Sequence, residues 1–311
     1  MVYRVFLHRG VVLMCTVMTI DQEHLLGRTM DFPPRTPWHL TYLPQGYRWR
    51  PAEIPTEYRN RRALFGGMRV VDGHYLVGDG VNDAGLAMAE LFFPVEADYP
   101  VAAQVGTRGL TPQDFIMWAL GVHATVEELA ADLDQVTVVD ARWYDHQRYP
   151  FHWLAMDATG TYVIEPLGDR LHVRANPLAV FTNTPSLDEQ AERLAAYLNQ
   201  PITASAAQLI VAAATTNRPL PTGGNSVDRF IKAAICRWRQ SPRSVAELHD
   251  FLQGVTVPHT PAHAHNYTHY QAVIDLAKRQ YDFHDLHSGA LVSRSLPELM
   301  REFPTTPQRF A

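Results

Sequence analysis

MCTVMTIDQEHLLGRTMDF, residues 14–32, holds two short apolar runs on either side of a polar tripeptide. CTVMTI (15–20) and HLLGRTM (24–30) are rich in β-branched and apolar residues, and Asp21 to Glu23 separates them. That is the pattern of a β-hairpin. Cys15 heads the first run, and Arg28 and Asp31 close the second. A lone cysteine usually behaves as a small core hydrophobe. Its neighbours here add another possibility. If Met14 is the true start, its removal leaves Cys15 as the first residue, with thiol and α-amino group on one carbon. A free α-amino group titrates at about 7.7–8.0 and acts as a base for the side chain beside it. An arginine nearby favours thiolate over thiol, and a carboxylate can hold the amine in place. Cys15, Arg28 and Asp31 then form a complete nucleophile set within one hairpin.

The residues before this hairpin carry no clear signal of their own. In MVYRVFLHRGVVLM, Arg4 and Arg9 interrupt the apolar stretch, leaving too short a run for a signal-peptide core. Met14 also stands where a lipoprotein would need a small residue before its cysteine. Residues 1–14 are therefore expected to be a leader or a mis-assigned start, with one domain over 15–311. The chain has 311 residues, 46% of them hydrophobic and 19% charged, with net charge −5. A sizeable core is affordable at that length, and without a basic run nucleic acid is not an expected partner. No stretch reaches the roughly 20 apolar residues of a spanning helix, so no membrane is expected. The two cysteines, Cys15 and Cys236, lie far apart in sequence, which argues against a disulfide scaffold and for a reducing, cytoplasmic setting.

Further along, residues 33–62 are rich in Pro, Arg and Tyr and read as irregular, and 66–92 carry strand-like runs. A helix is expected from Thr111-Pro112, with the proline at its first position, and another behind a Thr125/Glu128 capping box. FHWLAMD (151–157) and TYVIEP (161–166) form a hairpin, and Leu178 to Thr182 is another apolar run. Helical periodicity returns at 187–198, 226–240 and 244–254, the last behind Ser241 or Ser244. THYQAVID and QYDFHDL form two further strands around a Lys-Arg turn. Strands, helices, strands, helices, strands in that order fit two sheets and two helical layers, an α+β arrangement rather than a parallel α/β one.

The opening stretch resembles that of the choloylglycine hydrolase and penicillin V acylase family, which begins Cys-Thr or Cys-Ser and continues to a Gly-Arg-x-Met-Asp-Phe-like run. Four more stretches resemble the family in chain order: DGVNDAGLAMAELFFP (79–94), VFTNTP (180–185), LPTGGNSVDRF (220–230) and NYTHYQAVIDLAKRQYDF (266–283). The resemblance covers about residues 14–290. It implies a four-layer αββα N-terminal-nucleophile fold and hydrolysis of a small-molecule N-acyl amide, without metal or organic cofactor, by a homo-oligomer, often a tetramer. By position it implies Cys15 as nucleophile and base, Arg28 beside the thiolate, Asp31 on the α-amino group, Asn183 as a side-chain oxyanion donor and Arg229 as an organiser of the network. It also implies a backbone oxyanion donor at Phe92, where the family usually has asparagine in bile-salt hydrolases and tyrosine in penicillin V acylases. The apolar ring weakens a bile-salt reading and favours an aromatic or aliphatic acyl group.

Rival readings follow from the same residues. Conjugated bile-salt hydrolysis is the alternative within the family. A catalytically silent binding protein follows if Cys15 stays internal, because an internal cysteine has no α-amino group. Asn183 between two threonines also suits a turn, and Arg229 alone reads as a helix-surface arginine. Asn82 and Gly85 read as turn residues and Cys236 as core. His259, His263, His265 and His269 match no familiar zinc spacing.

Overall fold

In the computed structural model, residues 15–31, 37–168, 170–264 and 267–310 are described; the expected leader, residues 1–14, lies outside them. The opening hairpin forms as its sequence dictates. Thr16–Ile20 pairs antiparallel with Leu25–Met30, in register from Thr16↔Thr29 to Ile20↔Leu25. The reversal is a short 3-10 turn, Asp21–Glu23, closed by His24 in the left-handed region at φ 53°. Every residue of both strands is buried, so both faces of the hairpin are covered and its sequence shows no polar alternation.

The hairpin lies within a six-stranded antiparallel sheet, flanked by Val180–Thr182 on one side and by Tyr270–Asp275, Gln280–Asp285 and Leu291–Ser295 on the other. A second sheet runs in the order Arg170–Ala175, Gly160–Leu167, Phe151–Asp157, Ala87–Phe92, Asp79–Asn82, Leu64–Val71, Trp38–Leu43, Gln308–Phe310, and His74–Val77 also pairs with Leu64–Val71. Seven α-helices lie among the described residues: α1 (Phe115–Val122), α2 (Val126–Asp132), α3 (Leu187–Tyr197), α4 (Ala206–Thr215), α5 (Ser226–Arg239), α6 (Val245–Gln253) and α7 (Leu296–Glu302). Helices α5 and α6 pack on the first sheet, with α3 and α4 against α5, while α1 and α2 pack on the second. The sheets face each other through contacts such as Phe65 on Tyr281, with ring centroids 5.7 Å apart, and Trp38 on Tyr270 at the same distance. The layering is therefore helices, sheet, sheet, helices, and the buried apolar side chains form one continuous cluster. Among the described residues no helix is long and apolar enough to cross a membrane.

Capping chemistry sets several of the helix starts. Thr125 accepts from Glu128 N–H at 3.1 Å, although the Glu128 carboxylate reaches Ala124 N–H rather than the cap residue itself. Ser244 rather than Ser241 caps α6. At 111–114 the chain first makes a 3-10 turn, Pro112–Asp114, and α1 begins only at Phe115. The expectation of irregular structure over 33–62 is corrected in part. Trp38–Leu43 is a strand of the second sheet, and Arg48–Trp49 pairs with Tyr58–Arg59; residues 32–36 lie outside the described residues.

Candidate active site

Cys15 opens the first strand and is 3% exposed. Side chains along a strand alternate between faces, so Thr29 and Arg28 leave the neighbouring strand in opposite directions. Arg28 enters the space between the sheets. Its Nη1 donates to Gly78 C=O at 2.7 Å and pairs with Asp79 Oδ2 at 3.1 Å, while Nε and Nη2 donate to Thr29 C=O, each at 3.3 Å. Thr29 and Thr16 instead meet helix α5. There Arg229 Nε donates to Thr16 Oγ1 at 2.8 Å and Nη2 to Thr29 Oγ1 at 3.0 Å. The third arm of the same guanidinium, Nη1, pairs with Asp31 Oδ2 at 2.9 Å. Arg229 is held in the first turn of α5, which Asn225 caps by accepting from Asp228 N–H.

Asn183 arrives by strand pairing. Thr182 lies opposite Thr16, which places the next residue level with Cys15. Its Oδ1 accepts the Phe92 N–H at 3.1 Å, and Thr184 N–H donates to Phe92 C=O at 3.0 Å. The Phe92 N–H is thus engaged by Asn183, and that bond fixes which way the Asn183 amide is turned. The Asn183 carbonyl is clamped in turn by Gln190 Nε2 at 2.7 Å and Ser226 Oγ at 2.8 Å. The buried His152 ring, stacked between Phe93 and Phe181, bonds Thr182 C=O at 3.0 Å. The Phe92 ring is half-buried and meets Phe151 edge-on.

Burial dominates the electrostatics. It pushes the Cys15 thiol up to about 11; Arg28 opposes this, Asp31 reinforces it, and the Asp31 backbone N–H and Arg229 oppose it further. Burial also raises the Asp31 carboxyl despite Arg229, the Thr268 hydroxyl and Arg28. Arg28 stays charged: the burial that disfavours its cation is outweighed by neighbouring acidic groups, among them the Asp79 carboxylate paired with it. At neutral pH the site thus holds a thiol rather than a thiolate, so attack on a carbonyl requires a base within reach of the sulfur.

Cys15, Arg28, Asp31 and Arg229 are brought together as the sequence indicated, with Asn183 and Phe92 alongside. Sequence reasoning missed Asp79, Tyr270, Thr268, Gln190 and His152. Asp79 was visible only as the first residue of DGVNDAGLAMAELFFP, and nothing in local spacing connects it to Arg28. Asn82 has a different task. Its Oδ1 accepts from the N–H of Ala84 and Leu86 and its Nδ2 donates to Leu120 and His123 carbonyls, which ties a turn to α1. Cys236 is buried in α5, and burial raises its thiol. His259 and His269 both pack on Tyr267; His265 lies outside the described residues.

Two stacked antiparallel sheets covered by helices on both outer faces, with a buried cysteine just ahead of an inner strand, make the four-layer αββα fold of N-terminal-nucleophile hydrolases. The profile of the choloylglycine hydrolase family, the linear amide C–N hydrolases, matches residues 15–299, and the chain belongs to that family. A bile salt hydrolase/transferase of Clostridium perfringens is 27% identical over 190 residues, 60% of this chain and 58% of the relative. One of Lactiplantibacillus plantarum is 28% identical over 192 residues, 59% of this chain and 57% of the relative. The chain thus matches less than two thirds of the length of these relatives. Among solved structures, a variant of the conjugated bile acid hydrolase from Clostridium perfringens superposes with TM-score 0.78 at 20% identity, covering 96% of each chain. Penicillin V acylase from Agrobacterium tumefaciens gives 0.72 at 20% identity, covering 95% of this chain and 90% of the acylase. Both show the shared αββα fold.

Proposed function

We propose that the protein hydrolyses the carbon–nitrogen bond of a small linear N-acyl amide, with Cys15 as nucleophile and the α-amino group of the same residue as base. The observation that carries this reading is the convergence of Arg28, Asp31 and Arg229 around the buried Cys15, whose thiol burial pushes up. A protonated thiol in such a place needs a base, and the hairpin offers one only if Cys15 is the first residue. Residues 1–14 are, in this reading, a leader or an upstream start, and 15–311 is the working domain.

The steps follow from the geometry. The amine takes the thiol proton as sulfur attacks the carbonyl, while Asp31 holds the amine. Arg28 lowers the cost of negative charge on sulfur. The Asn183 amide donates to the tetrahedral oxyanion, and such a donor is typically worth about 10²–10³ in turnover. The Phe92 N–H joins it once its bond to Asn183 Oδ1 yields. The amine product leaves with the proton, and water releases the acid from the acyl-thioester. No metal or organic cofactor enters these steps. The half-buried Phe92 ring favours an aromatic or aliphatic acyl group, so a penicillin V-like amide is preferred over a conjugated bile salt. Bile-salt hydrolysis is the second reading, favoured by the relatives. In this account the enzyme acts in the cytoplasm as a homotetramer.

Intact mass spectrometry of active protein, together with turnover of penicillin V, glycocholate and taurocholate, tests the proposal. A mass beginning at Cys15 and selective hydrolysis of penicillin V are expected. Active material that begins at Met1 overturns the amine-base mechanism, and preferential turnover of the bile salts overturns the acyl preference.

A further inference from the structure

The carboxylate of Asp79 is fully buried between the two sheets and collects donors from both. Arg28 Nη1 reaches Oδ2 at 3.1 Å, the Tyr270 hydroxyl donates to the same oxygen, and the Tyr281 hydroxyl donates to Oδ1. Arg28, Tyr270 and Tyr281 come from three strands of the first sheet, whereas Asp79 belongs to the second. One carboxylate therefore fastens the strand of Arg28 to the two strands beyond it.

The local backbone is shaped for this approach. A Cβ on Gly67 would fall 2.3 Å from the Tyr270 hydroxyl, and one on Gly78 would fall 2.3 Å from Met30 Cε. A side chain at Gly67 would displace the Tyr270 ring, and one at Gly78 would displace Met30 and crowd Trp38. Gly78 also supplies the carbonyl that accepts the second bond from Arg28 Nη1. Burying a charged pair is costly unless its remaining hydrogen-bonding capacity is met. The two tyrosines meet it here, so Arg28 is fixed in one place rather than free to swing.

We propose that Asp79 is a positioning residue for the nucleophile: through Tyr270 and Tyr281 it is held rigid, and it in turn fixes the Arg28 guanidinium where its charge acts on the Cys15 sulfur. The proposal rests on the reading of Cys15 as the nucleophile. Asp79 touches no reacting atom. Without that charge Arg28 keeps only the Gly78 and Thr29 carbonyls, so its guanidinium can shift along the sheet interface and away from the sulfur, on which it is the strongest opposing influence.

The test follows the pH dependence of Cys15 alkylation by iodoacetamide, quantified by peptide mass spectrometry so that Cys236 is scored separately. Wild type, Asp79→Asn and Tyr281→Phe are compared, with circular dichroism and Tm to verify folding. Asp79→Asn is expected to raise the apparent thiol pKa by about one unit or more, which slows alkylation about tenfold at a fixed pH below it. Tyr281→Phe is expected to move the profile the same way by a smaller step, about two- to tenfold, because the carboxylate and its Tyr270 donor remain. A folded Asp79→Asn whose profile overlays wild type overturns the proposal, since a purely structural carboxylate would lower Tm alone. If Asp79→Asn does not fold, Tyr281→Phe decides, and an unchanged profile there overturns it as well. Alkylation needs no substrate. A shifted profile in an enzyme that turns over none of the three amides above would sink the proposed function and leave the role of Asp79 standing.

Discussion

Two arginines serve the same hairpin from opposite faces, and they are held in different ways. Arg28 lies between the sheets, anchored by a carboxylate that two tyrosines also grip. Arg229 comes from the helical layer and spends two of its three arms on threonine hydroxyls, keeping the last for Asp31. Arg28 is the strongest opposing influence on the raised Cys15 thiol, and Arg229 plays that part for the raised Asp31 carboxyl. One face of the hairpin thus tunes the sulfur and the other stabilises the carboxylate assigned to the amine. A strand buried on both faces can divide two electrostatic tasks between adjacent residues, because adjacent side chains point into different layers.

The most severe way to break this arrangement is to remove the group on which both faces converge. Cys15→Ala is expected to lose turnover to background with a fold close to wild type by circular dichroism. Cys15→Ser should be strongly impaired, because a hydroxyl is the weaker nucleophile under an amine base. If Cys236→Ala is inactive while Cys15→Ala still works, the wrong cysteine has been assigned.

The two arginines should separate next. Arg229→Gln leaves Asp31 buried without its counter-charge, a change that typically costs about 3–5 kcal/mol. Asp31 is already raised in the folded state and should rise further in the variant. A carboxyl raised on folding weakens the protein as pH climbs from the unfolded pKa through the folded one. The deficit of Arg229→Gln relative to wild type should therefore grow between about pH 4 and neutrality, as read by urea unfolding at several pH values. Arg28→Gln leaves Asp79 with both tyrosine donors, so it should cost less stability, but it should push the thiol further above its present value and slow alkylation. Equal effects of the two variants on both readouts would erase the distinction.

A milder change reaches the acyl pocket. Phe92→Asn keeps the backbone N–H but removes an aromatic face worth roughly 1.5–3 kcal/mol on burial. Catalytic efficiency on penicillin V should fall at least about tenfold, since about 1.4 kcal/mol is one decade in rate. The ratio of efficiencies on penicillin V and glycocholate is the quantity to measure, because partial unfolding cancels in it; an unchanged ratio removes Phe92 from the specificity determinants. The smallest effect is expected at Cys236→Ala. It should retain substantial activity and lose about 1 kcal/mol of stability, near the centre of the range for single substitutions.

Local chemistry made the nucleophile hairpin legible, along with the helices that begin with a cap or a periodic apolar face. Trp38–Leu43 was hidden because prolines and arginines on either side mask a run whose apolar residues alternate. Helix α4 was overlooked although Ser205 and Gln208 form a capping box at its start. The last strands, Leu291–Ser295 and Gln308–Phe310, are short and largely polar, and only pairing with distant partners defines them. The candidate site shows the same limit. Cys15, Arg28 and Asp31 are close in sequence and could be read together, and Asn183 and Arg229 were reached through family likeness. The bond from Phe92 N–H to Asn183, and the meeting of residues 28, 79, 270 and 281, depend on strand order and sheet stacking that no local pattern encodes.

The placement of the hairpin in its sheet also has a consequence for biosynthesis. Its strands precede their neighbours in the sheet, Val180–Thr182 and Tyr270–Asp275, by a long stretch of chain. At roughly 5–20 residues per second, the segment carrying Tyr270 is translated on the order of ten to fifty seconds after the hairpin. Asn183 and Arg229 are made late in that interval, and only at its end can Tyr270 brace Arg28. The set of side chains around the cysteine is therefore complete only once the late strands have been made, and order of synthesis keeps the proposed centre unassembled until then.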